Sequence, residues 1–349
     1  MSDTKRSAYL YDRDVFRPGP LFYRPNTTAL FARVTDGRVE YCHRITWNNW
    51  GFRDQRSYAP RRTASQLRIA VIGDSFTSNL DSEVAWPSLL EDRLRIAWGE
   101  DVQVYNLGLP GAGPANWIAL APIVRRLAPD AVVVACYDGI VARPRIEFFA
   151  EPQRGRFSCR YGYPMYITRP IGLCRERFLD EDAQQLAQEI EALAWAQKRV
   201  RPTWWSHARA WARGRTHNGA SLLDRHVRLI DRMLGWAQSA CIARCPSQAA
   251  AAQEHREDDE QSRALATLAK RRSVPLVDLW EPLSAHGVDQ LYAGSSGHWS
   301  ASGNRIVADA MSRQLVMQWP RLRRIGELAK SRASGRDADH GAFIGSLTA

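Results

Sequence analysis

The chain's most informative stretch is Leu67-Arg68-Ile69-Ala70-Val71-Ile72-Gly73-Asp74-Ser75-Phe76. Its near-continuous apolar character argues for a strand buried on both faces, as strands of a parallel sheet are. Gly73 and Asp74 end the run, so Ser75 falls at a strand–helix junction. In an open parallel sheet, ligands bind beyond the carboxyl ends of the strands. A serine placed there is exposed, and its N–H lies near a helix N-terminus, where developing negative charge is favoured. The side chain of Asp74 reads as a cap for the turn or the helix start.

The pattern around this stretch repeats. Pro87 to Trp98 is a helix, with Leu89, Leu90, Leu94 and Ala97 at helical spacing and a proline suited to the first turn. Strands are expected at 102–105, 131–136, 240–244 and 274–278, and helices at 116–127, 221–238, 256–272 and 304–316. With 67–72 this makes about five strands. Strand–helix alternation predicts an α/β fold, a central parallel sheet covered by helices on both faces.

Residues 1–66 break the rhythm and read as an N-terminal extension of short strands and turns, with Asn48 to Asp54 turn-like. The α/β domain takes 67–141 and 220–320. Between its halves, 142–219 reads as an insertion or lid over the carboxyl ends of the strands, with a helix at 181–200. Residues 330–349 read as a flexible polar tail.

Bulk composition is that of a globular protein, 45% hydrophobic and 24% charged. No apolar run reaches the roughly 20 residues a membrane helix needs, and no apolar signal core follows Met1. The expectation is a soluble, cytoplasmic chain. The net charge is +11, but only Lys5, Lys198, Lys270 and Lys330 are lysines among 48 basic residues. Such an arginine skew, interspersed with acids, fits a GC-rich coding composition better than nucleic-acid binding. Trp195, Trp204, Trp205 and Trp211, interleaved with arginines over 195–215, suggest a lid, a sugar-stacking surface or a peripheral contact with anionic membrane. Packing within the insertion explains the same residues. The six cysteines read as free thiols. No metal-ligand spacing and no phosphate-binding glycine loop is present, so neither metal nor cofactor is expected.

A serine needs a base to become a nucleophile. His298, in Ser295-Ser296-Gly297-His298-Trp299-Ser300, precedes the last helix on the sheet edge that carries Ser75. The other histidines are less well placed. His255 lies in a charged run, His207, His217 and His226 lie in or just after the insertion, and His43, His286 and His340 have no partner motif.

These motifs resemble the SGNH/GDSL hydrolase superfamily. Gly73-Asp74-Ser75-Phe76 looks like its first block, Asn106-Leu107-Gly108-Leu109-Pro110-Gly111 like its second, and Gly297-His298-Trp299-Ser300 with Gly303 like its last. Asn48 to Asp54 is similar to a segment often found before the first block in bacterial members. The likeness covers residues 45–140 and 220–317. It implies a flavodoxin-like three-layer α/β/α fold, a Ser75 nucleophile with His298 as base, and an oxyanion hole from the N–H groups of Ser75 and Gly111. The implied chemistry is ester hydrolysis or acyl transfer, often on carbohydrate or lipid esters.

Two positions depart from the pattern. The third-block asparagine is missing, and Asp138 stands at or beside its place. A protonated carboxyl there donates to an oxyanion, while an ionised one repels it; Asn116 is another donor nearby. The aspartate that usually precedes the histidine is replaced by Ser295 and Ser296. The expectation is therefore a dyad, with the imidazole oriented by a carbonyl near Ser295 or by Asp289. An esterase or deacetylase, an O-acyltransferase, and a non-catalytic ligand-binding protein all remain compatible with these residues.

Overall fold

The structure is a computed structural model. It describes residues 7–11, 23–35, 38–60, 66–99, 101–140, 222–256 and 258–319, with the strands 148–151, 156–159 and 165–166. Its centre is a five-stranded, all-parallel sheet of β4 (Leu67–Gly73), β5 (Val102–Gly108), β6 (Ala131–Tyr137), β10 (Ser239–Cys245) and β11 (Leu276–Asp278). The order across it is β11-β10-β6-β4-β5. Taken along the chain, this is the flavodoxin-like order 2-1-3-4-5, whose switch point lies between the first and third strands. Those strands are β4 and β6, so the crevice falls beside Ser75.

The run 67–73 is buried at every position because each face meets a different helical layer. Leu67, Ile69 and Val71 pack with Leu90, Leu94 and Trp98 of α2 (Trp86–Trp98) and Val307, Met311 and Leu315 of α10 (Ala301–Gln318). Ala70 and Ile72 face the other way. They pack with Val124 of α4 (Ala121–Leu127), Ile230 and Met233 of α5 (Leu222–Leu234), and Leu265 and Leu268 of α7 (Glu260–Arg272). Each fully buried leucine contributes on the order of 2 kcal/mol.

Several helix bounds differ from expectation for local reasons. The helix expected over 116–127 is divided: α3 (Pro114–Trp117) is followed by a 3₁₀ turn, and α4 starts at Ala121. Pro122 has no N–H for the carbonyl of Ile118, which breaks the α ladder. α7 begins at Glu260 rather than 256 because Asp259 caps it, accepting from Ser262 N at 2.7 Å. Likewise α10 begins at Ala301, capped by Ser300.

The N-terminal region is more regular than the short strands and turns expected. β1 (Ser7–Tyr11), β2 (Thr27–Thr35) and β3 (Arg38–Trp47) form an antiparallel sheet in that order. The turn after β3 is built by Asn48, whose Oδ1 accepts from Trp50 N at 2.9 Å and Phe52 N at 3.1 Å. In the insertion, β7 (Phe148–Glu151), β8 (Arg156–Cys159) and β9 (Met165–Tyr166) form a second antiparallel sheet. The expected helix at 181–200, the Trp/Arg segment 195–215 and the tail 330–349 lie outside the described residues.

Among the described residues, no helix is long and apolar enough to cross a membrane. Cys136, Cys241 and Cys245 are free thiols, and Cys241 and Cys245 share the α2/α10 face of β10.

Candidate active site

Ser75 opens α1 (Ser75–Ser78), a single helical turn beyond β4. Asp74 caps it, its Oδ1 accepting from Phe76 N at 2.9 Å. The turn sits hard against both strands. A Cβ on Gly73 would lie 2.0 Å from Thr77 Oγ1, and one on Gly108 would lie 2.3 Å from Ser78 N. Only glycine permits that second approach, because the obstacle is backbone. Leu109 N donates to Gly73 O at 2.9 Å, joining the two loops that flank Ser75.

Before the last helix lies a small hairpin, β12 (Tyr292–Ala293) with β13 (His298–Trp299). Two asparagines fasten it to the Ser75 side. Asn79 Nδ2 donates to Trp299 O at 2.9 Å, and Asn304 Nδ2 donates to the same oxygen at 3.2 Å. Asn304 Oδ1 also accepts from Trp86 N at 2.9 Å, closing the N-terminus of α2. The imidazole of His298 is thereby placed with Nε2 2.8 Å from Ser75 Oγ, across 223 positions of sequence.

The other ring nitrogen, Nδ1, is in direct contact with Oδ2 of Asp81. This corrects the dyad expected from sequence. Asp289 is exposed on the helical turn Val288–Leu291, and the side chain of Ser295 lies outside the described residues. The partner of His298 comes instead from the loop that leaves α1. An ionised carboxylate only accepts, so it holds the proton on Nδ1 and leaves Nε2 to accept from the Ser75 hydroxyl.

Asp81 is the best shielded of the three, its side chain 4% exposed. Burial pushes its pKa up. That is outweighed by the facing His298 ring and by the hydroxyl of Tyr41, which hold it below the usual carboxylate range. Tyr41 of β3 donates its hydroxyl to Oδ1, the oxygen that does not face His298. His43, for which sequence offered no partner, donates from Nε2 to the backbone carbonyl of Asp81 at 3.2 Å.

Asp138 is the second correction. Both oxygens of its carboxylate are occupied as acceptors. Oδ2 takes Ser247 N at 3.0 Å, and Oδ1 faces Arg244 Nε at 3.5 Å. Burial keeps its pKa above the ordinary value despite those two donors. Gly108 N is also committed, to Asn106 Oδ1 at 3.0 Å. The backbone N–H groups of Ser75 and Gly111 have no partner among the described residues. Gly111 takes a left-handed conformation, φ 72°, in the loop after β5. Asn116 sits in α3. Phe76 makes the apolar wall beside the imidazole, its ring centroid 5.0 Å from that of His298, and stacks on Tyr137 at 4.4 Å.

Sequence reading missed Asp81 and Tyr41. One signal was available: an aspartate on the loop that leaves the helical turn of Ser75, at the same edge of the sheet. Among the described residues, no group of His, Cys, Asp and Glu is placed to hold a metal ion.

No protein-family model and no curated protein matches the chain. Among solved structures it is similar to a lipase/acylhydrolase from Enterococcus faecalis, at 14% identity and TM-score 0.40, covering 72% of this chain and 95% of that one. It is similar also to Axe2, an acetylxylan esterase from Geobacillus stearothermophilus, at 12% identity and TM-score 0.42, covering 72% and 96%. A third is the acetyl xylan esterase AlAXEase, at 14% identity and TM-score 0.39, covering 71% and 100%. Likeness at this distance carries nothing about activity.

Proposed function

We propose that the chain is an SGNH-type serine esterase that removes an acyl group from an O-acyl ester of a carbohydrate, lipid or small metabolite. One observation carries the reading: Ser75 Oγ lies 2.8 Å from His298 Nε2, while Asp81 holds the opposite nitrogen. That order of hydroxyl, imidazole and carboxylate is the arrangement that makes serine nucleophilic.

In this mechanism Ser75 Oγ attacks the ester carbonyl carbon and its proton passes to His298 Nε2. The carbonyl oxygen becomes an oxyanion, received by the N–H groups of Ser75 and Gly111. The imidazolium then protonates the leaving alcohol oxygen as the C–O bond breaks, leaving the acyl group on Ser75. Water attacks the acyl carbon and gives a proton to His298, which passes it to Ser75 Oγ as the acyl–Oγ bond breaks, releasing a carboxylic acid and the free Ser75 hydroxyl. Asp81 stays ionised throughout and supports the imidazolium. The side chain of Asp138 takes no part.

A fluorophosphonate probe and p-nitrophenyl acetate test the reading directly. The wild-type protein is expected to label at Ser75 and release p-nitrophenol. Ser75→Ala should lose the label and at least about 10³-fold in rate. Well-folded wild-type protein that takes no label overturns the proposal. An acyl acceptor other than water would show as transfer to an added sugar in competition with hydrolysis.

A further inference from the structure

We infer that the N-terminal antiparallel sheet is a working part of this active site, with Tyr41 and His43 of β3 acting as positioning residues that set Asp81 against His298. The inference rests on the esterase reading and assigns a role to residues outside the α/β domain.

Asp81 lies on the loop between α1 and α2, a stretch with neither helix nor strand to satisfy its backbone. Buried carbonyls need donors. Here the donors are side chains from the N-terminal region. Arg53 gives Nη1 to Ser78 O at 2.9 Å, and Nη2 to Glu83 O at 2.8 Å and to Ser82 O. His43 supplies the carbonyl of Asp81 itself, and Asn79 Oδ1 accepts from Asp81 N at 3.2 Å. Tyr41 and His43 stand two apart on β3, so they share one face of the strand, and their rings stack at 5.2 Å. Burial draws the guanidinium of Arg53 down to about 10, which still leaves it charged at neutral pH.

Arg53 and His43 fix the backbone, and the contact of Tyr41 is more specific. Its hydroxyl binds Oδ1, so the carboxylate is prevented from rotating and Oδ2 stays on His298 Nδ1. The same bond takes up a lone pair that burial would otherwise leave unsatisfied. A purely structural strut would have no reason to address the catalytic carboxylate at its second oxygen.

The test compares Tyr41→Phe, His43→Gln and His43→Ala in the full chain. Tyr41→Phe keeps the ring and is expected to fold. Its kcat for p-nitrophenyl acetate should fall about ten- to a hundredfold, the loss expected for one charge-assisted hydrogen bond, with KM little changed. In proton NMR, the far-downfield resonance of His298 Nδ1–H should move or disappear. His43→Gln retains an N–H donor and should keep most of the activity that His43→Ala loses. A Tyr41→Phe protein with wild-type kcat and an unmoved resonance overturns the inference, as does wild-type protein without that resonance. If wild-type protein neither labels at Ser75 nor cleaves ester, the esterase reading fails, and the resonance alone decides whether Tyr41 governs the Asp81–His298 pair. Should Tyr41→Phe not fold, equal activity in His43→Gln and His43→Ala overturns the inference.

Discussion

Asp81, on the loop after α1, and Asp138, directly beyond β6, are shielded aspartates at the same edge of the sheet, with side chains 4% and 15% exposed. Asp81 turns one oxygen to the imidazole of His298 and the other to the phenol of Tyr41. Asp138 turns both to groups that never release a proton at neutral pH, a backbone N–H and a guanidinium. The first is held below the ordinary carboxylate range and the second above it. Residue type and burial therefore do not assign the chemistry. The donors facing each carboxylate do.

Exchanging each acid for its amide should break the comparison most sharply. Asp81→Asn presents a donor or a poor acceptor to Nδ1 and favours the wrong tautomer, so kcat is expected to fall roughly 10⁴-fold. Asp138→Asn should leave kcat close to wild type. Steady-state rates of the two variants on p-nitrophenyl acetate decide it, and comparable losses would end the distinction drawn here.

The Asp138 side is expected to show its role in stability instead. Arg244 is buried and faces Asp138 at 3.5 Å and Asp278 at 3.3 Å. Arg244→Met leaves Asp138 without its guanidinium, while Asp278 keeps Arg256 Nη1 at 2.8 Å, so the expected cost is about 1–3 kcal/mol. Urea unfolding should show that loss, with turnover per folded molecule unchanged.

The smallest effect separates the two acids by pH. Asp81, with its folded value depressed, contributes stability that is present above the unfolded value near 3.9 and lost as pH falls through the folded value. Asp138, with its folded value raised, has the opposite sign: its ionised form carries a penalty that is relieved as pH falls. Melting temperatures between neutral and acidic pH should show the deficit of Asp81→Asn shrinking with acidification. Asp138→Asn should fare best relative to wild type at neutral pH. Slopes of the same sign would contradict the assignment.

Much of the architecture was legible because it is written locally. The run 67–73 needs no partner to read as a doubly buried strand, and the apolar spacing of α2 follows from residues a few positions apart. Helix starts were less legible where a cap competed with the pattern, as at Asp259 and Ser300. Ser75 and His298 could be singled out, since each sits in a short motif at a predictable end of a strand or helix. Their orienting acid could not. Asp81 sits in no motif of its own, and the stretch before His298 offered a carbonyl near Ser295 or the carboxylate of Asp289 as the orienting group instead.

By itself the sequence determined the α/β alternation, the edge of the sheet at which Ser75 emerges, and the choice of Ser75 and His298 as the candidate pair. These follow from short-range patterns of burial and turn formation. Only the tertiary structure decided that Asp81 completes the set, that Asp138 is bound to Arg244, and that Tyr41 and His43 of a separate sheet reach the acid. Those outcomes depend on which donors converge on a buried carboxylate from distant parts of the chain. That convergence is a property of packing, and no stretch of sequence contains it.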